Sequence, residues 1–174
     1  MSKIEKIYDA VDDFGLITSL EASRLGMSNA ELVQQAAKGK LVRVARGVYR
    51  MPVWPAQPEA PYATAVKAVG EDAFLYGESV VALLNLAPTN PTVMLVASPK
   101  RIRRNLGNGA KVIQITGVTP VMIEGIHCQP IASAIAAAAK TMGSSRALDA
   151  AREARTRGLI SCDELSWIER EVFA

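Results

Sequence analysis

The stretch TSLEASRLGMSNAELVQQAAKGKLVRVARGVYRM, residues 18–51, decides the N-terminal fold. It holds two Ser/Thr-x-x-Glu pairs, Thr18 with Glu21 and Ser28 with Glu31. In such a pair the hydroxyl accepts the N–H three residues on, while the carboxylate reaches back to the N–H of the hydroxyl residue, so each pair marks a helix start. The first predicts a short helix ending near Gly26. The second predicts a helix through Ala30, Val33, Ala36 and Ala37 to a stop at Gly39. Leu41-Val42-Arg43-Val44 and Val48-Tyr49-Arg50-Met51 are β-prone, and Ala45-Arg46-Gly47 between them supplies the glycine that a short hairpin loop needs.

Upstream, Ile4, Ile7, Tyr8 and Val11 recur at i, i+3, i+4 and i+7, which predicts an amphipathic helix over residues 3–14 closed by Gly15. Helix, capped helix, turn, capped helix and basic hairpin, in that order, predict a winged helix-turn-helix over residues 1–52. Prolines 52, 55, 58 and 61 then exclude a helix interior or central strand, so residues 53–60 are expected to be a linker. Trp54 and Tyr62 flank it and are expected to pin two domains together. Residues 61–174 predict a mixed α+β domain. Helical patterns at 62–69, 78–86, 131–140 and 144–157 surround β-branched runs at 92–98 and 111–116 and further short strands at 121–123 and 126–129 around Glu124-Gly125. Ser161 and Glu164 start a terminal helix, and the alanine-rich 131–139 segment suits close helix packing in a core. The fold class is α+β.

The charge is clustered. The chain has 174 residues and a net charge of +3. Residues 38–50 carry Lys38, Lys40, Arg43, Arg46 and Arg50 with no acid among them, and residues 100–111 carry Lys100, Arg101, Arg103, Arg104 and Lys111, again with none. A hydrophobic content of 49% provides ample core material. Cys128 and Cys162 are not spaced as a metal pair or disulfide framework. No apolar run approaches the ~20 residues that span a bilayer, and residues 1–6 lack a secretory signal's layout; a cytoplasmic protein with no membrane partner is expected.

On the second capped helix, placing Ala30, Val33 and Ala37 toward the core leaves Glu31, Gln34, Gln35 and Lys38 on the outer face. That face suits base edges: glutamine pairs bidentately with adenine, and Lys38 can reach guanine or phosphate. Ser28 and Asn29 at the helix start join these candidates, Asn29 placed to reach the DNA backbone. Lys40, Arg43, Arg46 and Arg50 would supply the salt-dependent phosphate or minor-groove contacts. The alternative is a solvated face on a protein-interaction module. Lys100, Arg101, Arg103 and Arg104 could form a second phosphate patch, dock an acidic partner or simply solubilise a loop.

Catalysis finds little support. His127 is the only histidine, which excludes histidine-rich metal sites, and between Ser79 and Leu148 the only carboxylate is Glu124, too few to hold magnesium locally. No glycine-rich phosphate loop occurs. Adjacent residues on a strand point oppositely, so His127 and Cys128 would not pair as base and nucleophile. No enzyme, cofactor or metal is expected.

These residues resemble the AbiEi-like antitoxins of type IV toxin–antitoxin systems. The resemblance lies in Gly15-Leu16-Ile17-Thr18, Glu21-Ala22 and the run Leu41 to Arg50. In the second domain it lies in Glu78-Ser79-Val80-Val81-Ala82-Leu83-Leu84-Asn85-Leu86, Met94-Leu95-Val96, Arg101 to Arg104, Gly125-Ile126 and Arg157-Gly158-Leu159-Ile160. It implies a transcriptional regulator that binds inverted repeats in its own promoter, and a C-terminal domain that neutralises a nucleotidyltransferase-like toxin without a stable complex. The chain departs from the family at Tyr76-Gly77, where a histidine is common, and after Pro130, where Ile131-Ala132-Ser133-Ala134 replaces a threonine-leucine-x-aspartate pattern. A stand-alone ligand-responsive regulator and a nucleic-acid enzyme are the competing readings.

Overall fold

The computed structural model describes residues 1–89, 92–106 and 109–174. The chain divides into two units, residues 1–70 and 71–174. The first contains α1 (Lys3–Ala10), β1 (Leu16–Thr18), α2 (Ser19–Arg24), α3 (Asn29–Ala37), β2 (Val42–Ala45), β3 (Val48–Arg50) and α4 (Ala60–Val69). Its strands form an antiparallel sheet in the order β1-β3-β2. Ile7, Ile17, Ala22, Met27, Leu32 and Leu41 are buried together, so α1, α2 and α3 share one core with the base of the wing.

α1 is shorter than its periodicity predicts. It stops at Ala10 because Asp12 offers the following backbone another acceptor: Asp12 Oδ1 takes the N–H groups of Phe14 and Leu16, each at 2.9 Å. The chain turns at Gly15, φ +70°, and enters β1, an element the sequence pattern did not reveal. Three residues are too few to show an alternation; β1 exists because it pairs with β3, Leu16 opposite Arg50 and Thr18 opposite Val48.

The expected linker is not a linker between units. Trp54 Nε1 and Gln57 Nε2 both donate to the carbonyl of Asp13, at 3.2 and 2.9 Å, which fastens the proline-rich segment to its own unit. α4 also belongs to this unit, with Lys67 Nζ lying 3.1 Å from Glu21 Oε1 and 3.5 Å from Asp12 Oδ2. The boundary therefore falls at Gly70, not at residue 61.

The second unit contains β4 (Phe74–Leu75), α5 (Glu78–Leu84), β5 (Met94–Ser98), β6 (Ala110–Gln114), β7 (Val121–Ile123), β8 (Ile126–Cys128), α6 (Ile131–Met142), α7 (Ser144–Thr156) and α8 (Cys162–Val172). The sheet order is β6-β5-β4-β8-β7, with β5 parallel to β6 and β4 parallel to β8. β4, only two residues long and without a sequence period of its own, sits at the centre of the sheet. Glu124 at φ 51° and Gly125 at φ 77° make the left-handed two-residue turn that a hairpin's twist favours. Ala147, Ala150, Ala151 and Ala154 present a fully buried small face on α7, which packs with α6, α5 and α8 in one apolar cluster. Among the described residues no helix is long and apolar enough to cross a membrane.

A Cβ on Gly15 would lie 2.5 Å from Cδ2 of Trp54. Gly15→Ala is therefore expected to lower stability by more than the ~1–2 kcal/mol of left-handed strain alone. Adding Trp54→Ala should recover the steric part relative to the expected sum of the two single changes. Denaturant melts of the two single variants and the double variant check this; strict additivity would contradict it.

Candidate nucleic-acid interface

Hydrogen bonds at the helix starts set the position of α3. Thr18 Oγ1 accepts the N–H of Glu21 at 3.1 Å and Glu21 Oε2 accepts the N–H of Thr18 at 2.8 Å, closing the start of α2. Ser28 Oγ accepts the N–H of Glu31 at 3.2 Å and Glu31 Oε2 accepts the N–H of Ser28 at 2.7 Å, closing α3. A third box of the same kind, Ser2 with Glu5, opens α1, its Ser-x-x-Glu spacing matching the other two. Glu31 has a further partner, Lys3 Nζ, at 2.6 Å from Oε1. The hydrogen bond from Lys3, then that from the Ser28 backbone, holds the Glu31 carboxyl below the usual carboxylate range.

The outward face of α3 is rotated from the expected one. Leu32 is fully buried, Gln35 and Ala36 are half-buried, and Ala30, Val33, Gln34, Ala37 and Lys38 are exposed. The physical reason is that Leu32, the largest apolar side chain of the helix, takes the core and sets its phase; Ala30, Val33 and Ala37 do not. Two candidates thereby lose their base-reading role. Glu31 is occupied by the cap and Lys3, and the Oε1 of Gln35 is buried with no hydrogen-bond partner among the described residues. Gln34 and Lys38 remain on the exposed face, joined by Asn29 at its start, while the Ser28 hydroxyl is engaged in the cap. The signal that would have given the right face was Leu32 itself.

The wing follows the expected boundaries closely. β2 and β3 pair Arg43 with Tyr49 and Ala45 with Val48, leaving Arg46 and Gly47 as the turn, with a bulge between Arg43 and Ala45. The turn is fastened to α2, where the Ser19 N–H donates to the Gly47 carbonyl at 2.9 Å. Its base is fastened to α1, where Tyr8 Oη donates to the Lys40 carbonyl at 2.7 Å. Lys38, Lys40, Arg43 and Arg46 are exposed and make no ion pair among the described residues. Arg50 is half-buried and turns its Nε toward the Met51 carbonyl at 3.4 Å, which sets it apart from the others.

The second basic segment lies in the other unit. Arg101, Arg103 and Arg104 are exposed on irregular backbone, and Lys100 Nζ lies 3.3 Å from Asp72 Oδ2. Residues 107 and 108 of this expected loop lie outside the described residues. His127 is exposed and Cys128 buried on opposite faces of β8, as strand alternation requires.

Residues 5–52 match the family described as "Transcriptional regulator, AbiEi antitoxin". That span runs from α1 through the wing, so the match covers the winged helix-turn-helix. Among solved structures, the chain is similar to "Crystal structure of RV2827C protein from Mycobacterium tuberculosis", at a TM-score of 0.53 and 12% identity, over 97% of this chain and 75% of that one. At that identity the likeness concerns the fold. No curated protein matches the chain.

Ser28→Ala is expected to destabilise the protein by about 1 kcal/mol, the usual effect of losing a helix cap. Glu31 adds a pH dependence of known sign. Its carboxyl is lowered in the folded state, so its contribution is present above the usual carboxylate range and lost as pH falls through the lowered value. Glu31→Gln should flatten stability in that acidic window; unchanged pH profiles in melts of this variant would contradict the assignment.

Proposed function

We propose, starting from an N-terminal domain of the AbiEi regulators, that this protein is a DNA-binding antitoxin that represses its own operon by occupying inverted repeats in the promoter. The observation that carries the reading is the exposed placement of Gln34 and Lys38 on α3 beside Lys40, Arg43 and Arg46 of the adjoining wing, which make no ion pair among the described residues. Cations without acidic partners are free to neutralise phosphates, and a glutamine on an exposed helix face is free to read adenine. One domain of this size gives modest affinity, so two copies on paired half-sites are expected. The functional partner is a nucleotidyltransferase-like toxin, opposed by the second unit without a stable complex, in a cytoplasmic setting.

The reading is of a binding protein and not an enzyme. Burial pushes the Cys128 thiol up to about 12, and His127 faces the other way, so this pair does not make an activated nucleophile. One observation favours a second reading, a ligand-responsive regulator: a cleft of about 700 Å³ in the second unit is lined by Lys111, Arg146 and Glu78. An adjacent reading frame whose growth arrest this protein relieves separates the two.

The test is a footprint of the full chain on the DNA upstream of its gene at two salt concentrations. Protection over paired repeats supports autoregulation; binding no better than to random DNA opposes it. Within the site, Arg46→Ala is expected to weaken binding to all DNA and reduce the salt slope by about one phosphate contact. Gln34→Ala should instead relax sequence choice at a cost of roughly 1–3 kcal/mol. Equal effects from both would reject this division of labour.

A further inference from the structure

Val33 stands out on α3. It is 59% exposed in the middle of a helix whose other side is buried in the core. A β-branched residue is a weak helix former, and at this position it gains little from burial. Its neighbours on the same face, Ala30 and Ala37, are small and uncharged, so Val33 is the largest apolar side chain exposed on that face, beside Gln34. Cations follow it in the chain: Lys38 caps the helix and Lys40, Arg43 and Arg46 continue into the wing, all exposed and none of them ion-paired among the described residues. An exposed apolar side chain on a helix that leads into a cationic wing fits a surface that is anionic along its backbone and carries apolar groups in its groove. In the major groove of duplex DNA, those groups are the 5-methyls of thymine.

We propose that Val33 is a specificity-determining residue that packs against a thymine 5-methyl, next to an adenine read by Gln34, so that the recognised half-site contains an A·T-rich step. The inference rests on the DNA-binding reading above but not on autoregulation. Val33 and Gln34 are consecutive on the exposed arc of α3, and the proposal places their contacts on neighbouring base pairs of the half-site. The apolar contact distinguishes thymine from cytosine and uracil, whereas the glutamine bond identifies adenine. Neither contact alone defines the step.

The test uses the full chain and a duplex selected by it from random sequence, so that it does not depend on the promoter. Each thymine of the protected half-site is replaced singly by deoxyuridine, which keeps every hydrogen bond and removes only the methyl. For the unaltered protein, one such replacement is expected to weaken binding about fourfold, the factor for burying one methyl-sized group. Val33→Ala should weaken binding to the thymine duplex by a similar factor and then be indifferent to the same replacement. The alanine variant keeps its fold because the side chain is exposed and alanine is the better helix former; its melting curve checks this. Additive effects of the protein and DNA changes at every position, or no sensitive thymine, would overturn the inference while leaving DNA binding intact. Failure to select any duplex would overturn both.

Discussion

The N-terminal unit depends on what one carboxylate does at the end of its first helix. Asp12 accepts two backbone N–H groups, those of Phe14 and Leu16, and lies close to Lys67 of α4. By satisfying the backbone locally it ends α1 and sends the chain into β1, and β1 completes the sheet under the wing. The same corner holds the segment after the wing: the Asp13 carbonyl takes hydrogen bonds from Trp54 and Gln57, and the indole lies over Gly15, where no Cβ fits. An orphan backbone group buried without a partner costs as much as a lost hydrogen bond. A turn that satisfies several at once therefore outweighs the helical periodicity continuing through Val11.

The interface follows from that frame. α3 is closed at its start by Ser28 and Glu31, anchored through Glu31 to Lys3 of α1, and rotated so that Leu32 reaches the core. The wing is held at its turn by Ser19 and at its base by Tyr8. Helix and wing are thus positioned by hydrogen bonds that do not use the side chains of Gln34, Lys38, Lys40, Arg43 or Arg46. This leaves Gln34, Lys38, Lys40, Arg43 and Arg46 available for a polyanion. A site built on braced elements holds its geometry better than one on free loops.

In the helical part of the second unit, small residues set how closely the helices approach. Four buried alanines on α7, together with Ala138 on α6, let helices approach closely around Ile135 and Ile168. Arg157 adds a polar tie, donating from Nη1 and Nη2 to the Leu84 and Asn85 carbonyls at 2.7 and 2.9 Å. Those are orphan carbonyls at the end of α5, and a guanidinium fork satisfies two of them together.

Residue pattern alone determined the elements that carry their own punctuation. The capping pairs at Thr18, Ser28 and Ser161, the hairpin turns at Gly47 and Gly125, and the alanine-rich helices all rest on chemistry local to a few residues. They appear where the pattern places them. The basic wing and the α+β class were legible for the same reason. Tertiary structure decided what depends on distant partners. β1 and β4 are too short to show a period and exist only through pairing. The boundary at Gly70 follows from where α4 and the proline-rich segment find hydrogen bonds and ion pairs. The outward face of α3 was decided by which side chain filled the core. A helix of nine residues with four alanine or valine positions offers more than one apolar phase, and burial of the single leucine selects among them.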